Sequence, residues 1–195
     1  MFKNAKTITA LAVAVAALVG GPATASAATS FGADVEPNVQ PSNAGSPHKC
    51  NGFEGKTCTW VLNDAYGAPG HEKAPKDGEL KQIKLIAGAP GSFKLQLVKV
   101  NNKQKAKVVT QGPRIRYQGQ TNPNANTYKV EKFDVSVPVH EGEQLAIKTK
   151  QTSTLRCSSG GDNTLLYNPA LKVGNTLQSL GSDDGCWMLI EGVIK

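Results

Sequence analysis

The amino-acid sequence predicts an all-β protein, a single jelly-roll-like β-sandwich that carries two disulfides. Several short segments alternate apolar and polar residues, as strands with one buried face do. Frequent turn signals containing Gly, Pro and Asn separate these segments. After residue 27 no window has a convincing helical period, and four cysteines are available as disulfide partners. Together these features favour a sandwich or jelly roll over a mixed fold.

Residues 1–27 are predicted to form a secretory signal peptide. Met1–Lys6 is a short cationic start, Thr7–Val19 is apolar, and Ala25–Ala27 supplies small residues for cleavage. The apolar run is about a dozen residues long, whereas a membrane-spanning helix needs roughly 20. We therefore expect cleavage, no transmembrane anchor, and a secreted extracellular protein of 195 − 27 = 168 residues.

The chain after the signal peptide is predicted to contain one domain. Residues 28–49 are rich in Ala, Ser, Pro, Asn and Gly, so we expect a flexible N-terminal segment. The β-sandwich domain is expected to cover residues 50–195, which is long enough for a hydrophobic core.

Two stretches give the clearest strand predictions. Phe133–His140 alternates apolar and polar residues, and the next three residues form a turn before Leu145–Ile147, which predicts a hairpin. Pro138 lacks a backbone donor, so this strand is expected at a sheet edge or Pro138 near its end. In Phe93–Val100 the apolar parity slips after Leu97, which predicts a β-bulge or a bend.

The aromatic residues are assigned from the strands in which they lie. Cys186–Ile194 is apolar on both parities, as in a central strand covered on both faces, so Trp187 is expected in the core. Trp60 is also expected there, and Tyr117 shares the inward parity of Ile115. Tyr66 and Tyr128 lie in or beside polar loops and are the aromatic candidates for ligand binding.

Four cysteines allow three pairings, and we predict Cys50–Cys58 and Cys157–Cys186. The first pair flanks a glycine-bearing loop that suits local closure, and the second lies at or near strands in the C-terminal third. The cysteine spacings of zinc sites are absent, so we expect no metal and no cofactor.

The sequence contains no recognisable catalytic motif, so we expect a non-enzyme. His71-Glu72 begins like the HExxH motif, but the second histidine is missing and Pro75 would break the helix. No GxSxG elbow occurs. Adjacent acids such as Glu141 and Glu143 are expected to be turn residues. A glycosidase-like hydrolase, with two carboxylates from different elements, stays open as the alternative.

The charge distribution points to anionic partners. The formal net charge is +7, or +5 without Lys3 and Lys6, and residues 73–132 hold thirteen Lys or Arg against three acids. Such a field favours acidic glycans, teichoic acids or anionic surfaces, and secretion argues against nucleic acid. The competing explanation is a solvated face that maintains solubility. The candidate binding residues are in two rows, Arg114 and Arg116 in one and Lys103, Lys105 and Lys107 in the other.

Several segments in chain order also support the fold. They are Cys58–Val61, Lys76–Leu80, Phe93–Val98, Val137–Ile147 and the apolar C-terminal strand. This pattern resembles a group of small secreted actinobacterial proteins with a jelly-roll sandwich, similar in shape to carbohydrate-binding modules. The resemblance covers about residues 50–194. It implies the fold and carries over no functional residue.

The sequence thus predicts a secreted, non-catalytic binding or structural module. Its expected partner is an extracellular or cell-wall polysaccharide, either a glycan or an anionic cell-wall polymer. The alternative is a secreted glycosidase-like hydrolase.

Overall fold

The computed structural model describes residues 27–35, 47–50, 56–120, 129–157, 162–174 and 176–195. These residues form strands and no helix, which confirms the all-β prediction. The strands are β1 Thr29–Gly32, β2 His48–Lys49, β3 Cys58–Leu62, β4 Gly78–Leu85, β5 Gly91–Val100, β6 Ala106–Tyr117, β7 Glu131–Val139, β8 Gln144–Thr149, β9 Gln151–Thr152, β10 Leu155–Cys157, β11 Thr164–Tyr167, β12 Ser182–Asp184, β13 Cys186–Met188 and β14 Ile190–Ile194. Residues 1–26 of the predicted signal peptide lie outside the described part.

The strands form two large and two small antiparallel sheets. One large sheet has the order β1-β14-β4-β7 and the other β12-β11-β3-β8-β5-β6. The small sheets pair β10 with β13 and β2 with β9. Pro138 lies in β7, at the edge of the four-stranded sheet, so its missing N–H interrupts no ladder on the open side.

One hydrophobic core joins the two large sheets. Trp60, Phe93 and Ile147 of the six-stranded sheet share a cluster with Phe31 and Ile83 of the four-stranded sheet. Each of these side chains is at most 1% exposed. Burying each contributes roughly 1.5–3 kcal/mol relative to exposure, so this core is the main source of stability.

A second, smaller core covers part of the opposite face of the six-stranded sheet. Leu171 packs there with Val61, Ala146 and other apolar side chains. Two buried hydrogen bonds hold the backbone of Leu171 against the sheet. Leu171 N–H donates to Thr59 Oγ1 (3.1 Å), and Gln96 Nε2 donates to Leu171 O (3.4 Å). Thr59 Oγ1 also donates to Gln96 Oε1 at 3.1 Å.

The predicted disulfides are both present, as Cys50–Cys58 and Cys157–Cys186. Cys157 and Cys186 are directly opposite each other on β10 and β13. The bulge predicted in β5 is also confirmed, since the pairing with β6 shifts register between Leu97 and Val98. No helix in the described ranges is long and apolar enough to cross a membrane.

The predicted hairpin between Phe133–His140 and Leu145–Ile147 is wrong. β7 pairs with β4, whereas β8 pairs with β3 and β5 in the other large sheet. The turn between them crosses from sheet to sheet, and buried Glu143 anchors it by accepting the His140 backbone N–H at 3.0 Å. Both strands turn an apolar face to the same core, so alternation alone did not identify their partners.

The prediction that residues 28–49 form a flexible segment is wrong for the two parts of this range that pair as strands. β1 pairs with β14, and the Phe31 ring packs where Gly192 has no side chain; a Cβ there would lie 2.9 Å from the ring. β2 pairs with β9. Both strands are too short to show an alternating pattern, and their partners are far along the chain. Ordered structure therefore begins before Cys50, while residues 36–46 lie outside the described part.

The last apolar stretch is two strands, not one. β14 is central, between β1 and β4, as expected, but β13 belongs to a separate two-stranded sheet. Alternation within β13 buries Cys186 and Met188 and turns Trp187 outward, where it is only half-buried. Its indole N–H donates to Asp64 Oδ2 at 3.1 Å, so the expectation of a core position for Trp187 is wrong.

Candidate functional site

A basic groove lies beside the second core, on the same face of the six-stranded sheet. Its volume is about 930 Å³. Five cationic side chains line it, and the other lining residues are small or carry hydroxyl or amide groups. The lining consists of Lys49, Thr57, Gly91, Ser92, Lys94, Gln111, Arg114, Lys148, Thr149, Lys150 and Gln151. We call this feature the basic groove.

Three cationic residues on the floor of the basic groove are cross-strand neighbours on adjacent strands, and we call them the register row. Lys94 of β5 is directly opposite Arg114 of β6 on one side and Lys148 of β8 on the other. Neighbouring strands are about 4.8 Å apart, so the backbones of the three cationic residues lie within roughly 10 Å. Like charges directly opposite each other destabilise a sheet. The row is therefore costly for the unliganded protein.

The ribbon of β2 and β9 forms one wall. Lys49 of β2 is opposite Gln151 of β9, and Lys150 immediately precedes β9. Cys50 follows Lys49, donates its backbone N–H to Lys150 O (3.3 Å), and is bonded to Cys58 of β3. The Cys50–Cys58 disulfide thus holds this wall against the sheet.

Local hydrogen bonds fix the floor without neutralising it. Arg114 Nη1 donates to Ser92 Oγ at 3.2 Å, and Thr149 Oγ1 donates to Ser92 O at 2.8 Å. Among the described residues, Lys94, Lys148 and Arg114 form no ion pair with a carboxylate. Strands β3, β5, β6, β8 and β11 contain no Asp or Glu at all. The acids of this sheet, Asp183 and Asp184, are on its edge strand β12, so no carboxylate lies on the strands that carry or adjoin the row.

The outer face of the four-stranded sheet has the opposite character. There Lys84 of β4 is directly opposite Glu191 of β14, and their charged atoms are 3.0 Å apart. On the same face Gln82 donates to Asp134 Oδ1 across β4 and β7 at 3.2 Å. A solvated face with mixed charges looks like this one. Lys84 is also directly opposite Lys132 of β7, but there Glu191 supplies a carboxylate, whereas no described carboxylate pairs with the row in the basic groove.

The predicted basic rows are only partly brought together. Arg114 lines the basic groove, and Arg116 lies exposed two residues further along β6, opposite the lining residue Ser92. Lys103 and Lys105 are in the turn after β5, where their backbone N–H groups donate to Asn101 Oδ1 at 3.0 Å. Lys107 is on β6, outside the groove lining. These three lysines do not form one strand face, because β6 begins only at Ala106.

The predicted aromatic candidates do not supply a platform in the groove. Tyr66 is half-buried, with its ring centroid 5.5 Å from that of Trp187 and 4.5 Å from the guanidinium carbon of Arg156. Tyr128 lies outside the described residues. The described residues that line the basic groove include no aromatic side chain.

Four lining cations were absent from the sequence-based candidates, namely Lys49, Lys94, Lys148 and Lys150. Lys94 and Lys148 occupy polar positions of alternating strands and look like ordinary solvent-facing residues in the sequence. A signal was nevertheless present, since no acid occurs from residue 80 to residue 130. A search for acid-free strands would have selected this sheet.

A second hollow, of about 510 Å³, lies on the side of the four-stranded sheet. Its lining includes Ser30, Asp34, His71 and Glu191. Two carboxylates in one hollow are relevant to the hydrolase alternative. Glu191 is only 7% exposed and is paired with Lys84.

One cluster has the composition of a metal site but not its chemistry. The ligand atoms of His48, Cys157 and Cys186 lie within 4.8 Å of one another, and His48 Nε2 is 3.2 Å from Cys157 Sγ. The two sulfurs form a disulfide, whereas a metal requires thiolates. This cluster therefore offers no soft-metal ligand set in its oxidised form.

Comparison with known proteins adds no relative. No protein-family model, no curated protein and no solved structure matches this chain. The resemblance to secreted actinobacterial jelly-roll proteins stays a prediction, and a functional assignment depends on the chemistry of the basic groove.

Proposed function

We propose that this protein is a secreted, non-catalytic module that binds an anionic extracellular or cell-wall polymer in the basic groove. The observation that supports this proposal most strongly is the register row Arg114–Lys94–Lys148, which has no ion-paired carboxylate among the described residues. An anion bound across the row would replace two repulsive contacts with attractive ones. Attraction to the anion and the loss of repulsion between the cations would then both favour the bound state.

The number of cations favours a polymer over a small anion. Four lysines and one arginine line a groove of about 930 Å³. A single small anion would contact only one or two of them. A chain with a charge on each repeat contacts several at once and gains from their linkage. A field of one sign also speeds the approach of such a chain.

The lining supports binding more than reaction. Among the described residues the lining contains no Cys and no Asp, Glu or His, the side chains that most often serve as general acid or base. Ser92 accepts a hydrogen bond from Arg114, which does not activate a hydroxyl as a base would. The predicted signal peptide and the two disulfides are compatible with an extracellular polymer as the partner.

The test is retention on an immobilised anionic polysaccharide and on isolated cell walls, with matched charge variants. We expect Lys94→Gln/Lys148→Gln to lose most retention. Lys99→Gln/Lys107→Gln is the control, because it also removes a directly opposed lysine pair and two charges, outside the groove. With about four contacts and the slope known for flexible single strands, raising the salt from about 50 to about 200 mM should lower affinity roughly 50-fold. Equal retention of the two double variants would contradict the proposal.

The second hollow gives the hydrolase alternative one specific observation, the presence of Asp34 and Glu191 in a single lining. If this alternative holds, the wild-type protein releases reducing ends from polysaccharides, and Asp34→Asn or Glu191→Gln abolishes the release. We expect no release from the wild-type protein under conditions in which it binds.

A further inference from the structure

We infer that the basic groove selects a flexible polymer with phosphodiesters in its backbone, in preference to a chain of charged sugar rings or a nucleic-acid strand. This inference rests on the proposed function and names the class of polymer. It follows from three properties of the groove, namely which donors it presents, which side chains are missing, and how its charges are spaced.

The donor set is the one that proteins use for phosphate oxygens. Besides the five cations, the lining contains the hydroxyls of Thr57 and Ser92 and the amides of Gln111 and Gln151, while the Thr149 hydroxyl already donates to Ser92 O. Phosphate contacts in protein complexes come mainly from Lys, Arg, hydroxyl and amide side chains. Every polar group that lines the groove therefore has a partner in a polymer that consists of phosphates and hydroxyls.

The balance of Lys and Arg favours phosphate over carboxylate. A planar carboxylate is recognised best by the two-pronged guanidinium, whereas an ammonium acts as a point charge without a preferred plane. Four of the five lining cations are lysines, and the guanidinium of Arg114 already donates to Ser92 Oγ. The tetrahedral phosphodiester accepts donors from several directions and suits such a set.

The missing side chains disfavour the other two polymers. Binding of single-stranded nucleic acid gains much of its energy from bases stacked on aromatic rings, and none of the described residues that line the groove is aromatic. Sugar rings likewise present apolar faces that bind best against aromatic or other apolar side chains. Among the described residues, the groove lining offers those faces no aromatic or large aliphatic side chain.

The charge spacing adds a third reason. Neighbouring residues of the row are on adjacent strands, whose backbones are about 4.8 Å apart. A chain whose phosphates are joined by freely rotating carbons can adjust its charge separation to this row. A chain of rigid rings has a fixed separation and must bend as a whole to follow it.

The test is a competition assay with a fluorescent glycerol-phosphate oligomer as the probe. The competitors are an oligogalacturonate and an oligothymidylate with the same number of charges. We expect the glycerol-phosphate oligomer to bind at least tenfold more tightly than either competitor. Equal or tighter binding of a competitor would overturn this inference and leave the proposed function standing. If each of the three oligomers binds the wild-type protein and the Lys94→Gln/Lys148→Gln variant with equal affinity, the proposed function fails as well.

A gain-of-function variant tests the argument about missing aromatics directly. Gln111 is exposed in the groove lining, so Gln111→Trp adds one stacking surface without disturbing the core. We expect it to raise oligothymidylate affinity by about fivefold or more and to leave glycerol-phosphate affinity nearly unchanged. An equal change for both probes would contradict the stacking argument.

Discussion

Replacing Lys94 with glutamine is expected to stabilise the unliganded protein while weakening its binding to an anionic polymer. Lys94 is the middle residue of the row and is directly opposite both Arg114 and Lys148. Glutamine keeps most of the side chain's length and its polar end, and it removes two repulsive contacts. A substitution that damaged packing would lower stability, so the expected sign is diagnostic.

The magnitude follows from the two contacts. A directly opposed pair of like charges costs about 0.2–1 kcal/mol, and the side chains here are half-buried or exposed, so solvent screens part of the repulsion. Removing both contacts should stabilise the fold by about 1 kcal/mol. For a domain of this size that corresponds to a rise in Tm of about 2–4 °C.

Thermal unfolding followed by circular dichroism measures this effect. At low salt the Tm of Lys94→Gln should exceed that of the wild type, and in about 1 M salt the difference should shrink because exposed charges are screened. Lys99→Gln is the control, since Lys99 is opposite a single lysine, Lys107, and should give about half the gain. A Tm of Lys94→Gln at or below the wild-type value at low salt would refute the reasoning.

Three further outcomes are expected. Cys50→Ser/Cys58→Ser removes the disulfide that holds the groove wall, so polymer binding should weaken several-fold in the retention assay. Unchanged binding would show that the wall is not needed. The same variant should lower the free energy of unfolding by about 2–3 kcal/mol. Burial raises the pKa of the Tyr167 phenol above its ordinary value of about 10, so the stability it contributes below pH 10 should be lost as the pH rises towards the folded-state pKa. Tyr167→Phe should remove this alkaline loss in denaturant titrations and cost about 0.5–1.5 kcal/mol at neutral pH, because its hydroxyl donates to Gln104 O at 2.7 Å. Trp60→Ala should destabilise the protein by about 3–5 kcal/mol in urea unfolding, since Trp60 is 1% exposed in the main core; a loss below 1 kcal/mol would contradict that placement.

Local patterns in the sequence were sufficient for several features of the fold. The parity slip after Leu97 is visible in the order of residues and marks the bulge that the structure contains. The glycine-bearing loop between Cys50 and Cys58 likewise indicates a local disulfide. Such features depend on neighbours within about ten residues, so periodicity and turn chemistry are enough to predict them.

Features that depend on distant pairing were not predicted. Lys94 is 20 residues from Arg114 and 54 residues from Lys148, and nothing in the sequence states that these three share one register row. The hairpin prediction failed for the same reason, because alternation indicates a buried face without indicating which sheet supplies the partner strand. Glu143 looked like a turn acid, yet it is fully buried and contacts Nδ1 of His140 at 3.1 Å.

The most direct measurement of the central claim is lysine footprinting with and without a bound polymer. The protein would be acetylated at low reagent concentration, and the modification of each lysine would be read by mass spectrometry. Binding in the basic groove predicts protection of Lys94, Lys148 and Lys150, while Lys99, Lys103 and Lys105, outside the lining, keep their reactivity. Uniform protection of both groups, or protection of the second group alone, would contradict the assignment of the basic groove as the binding site.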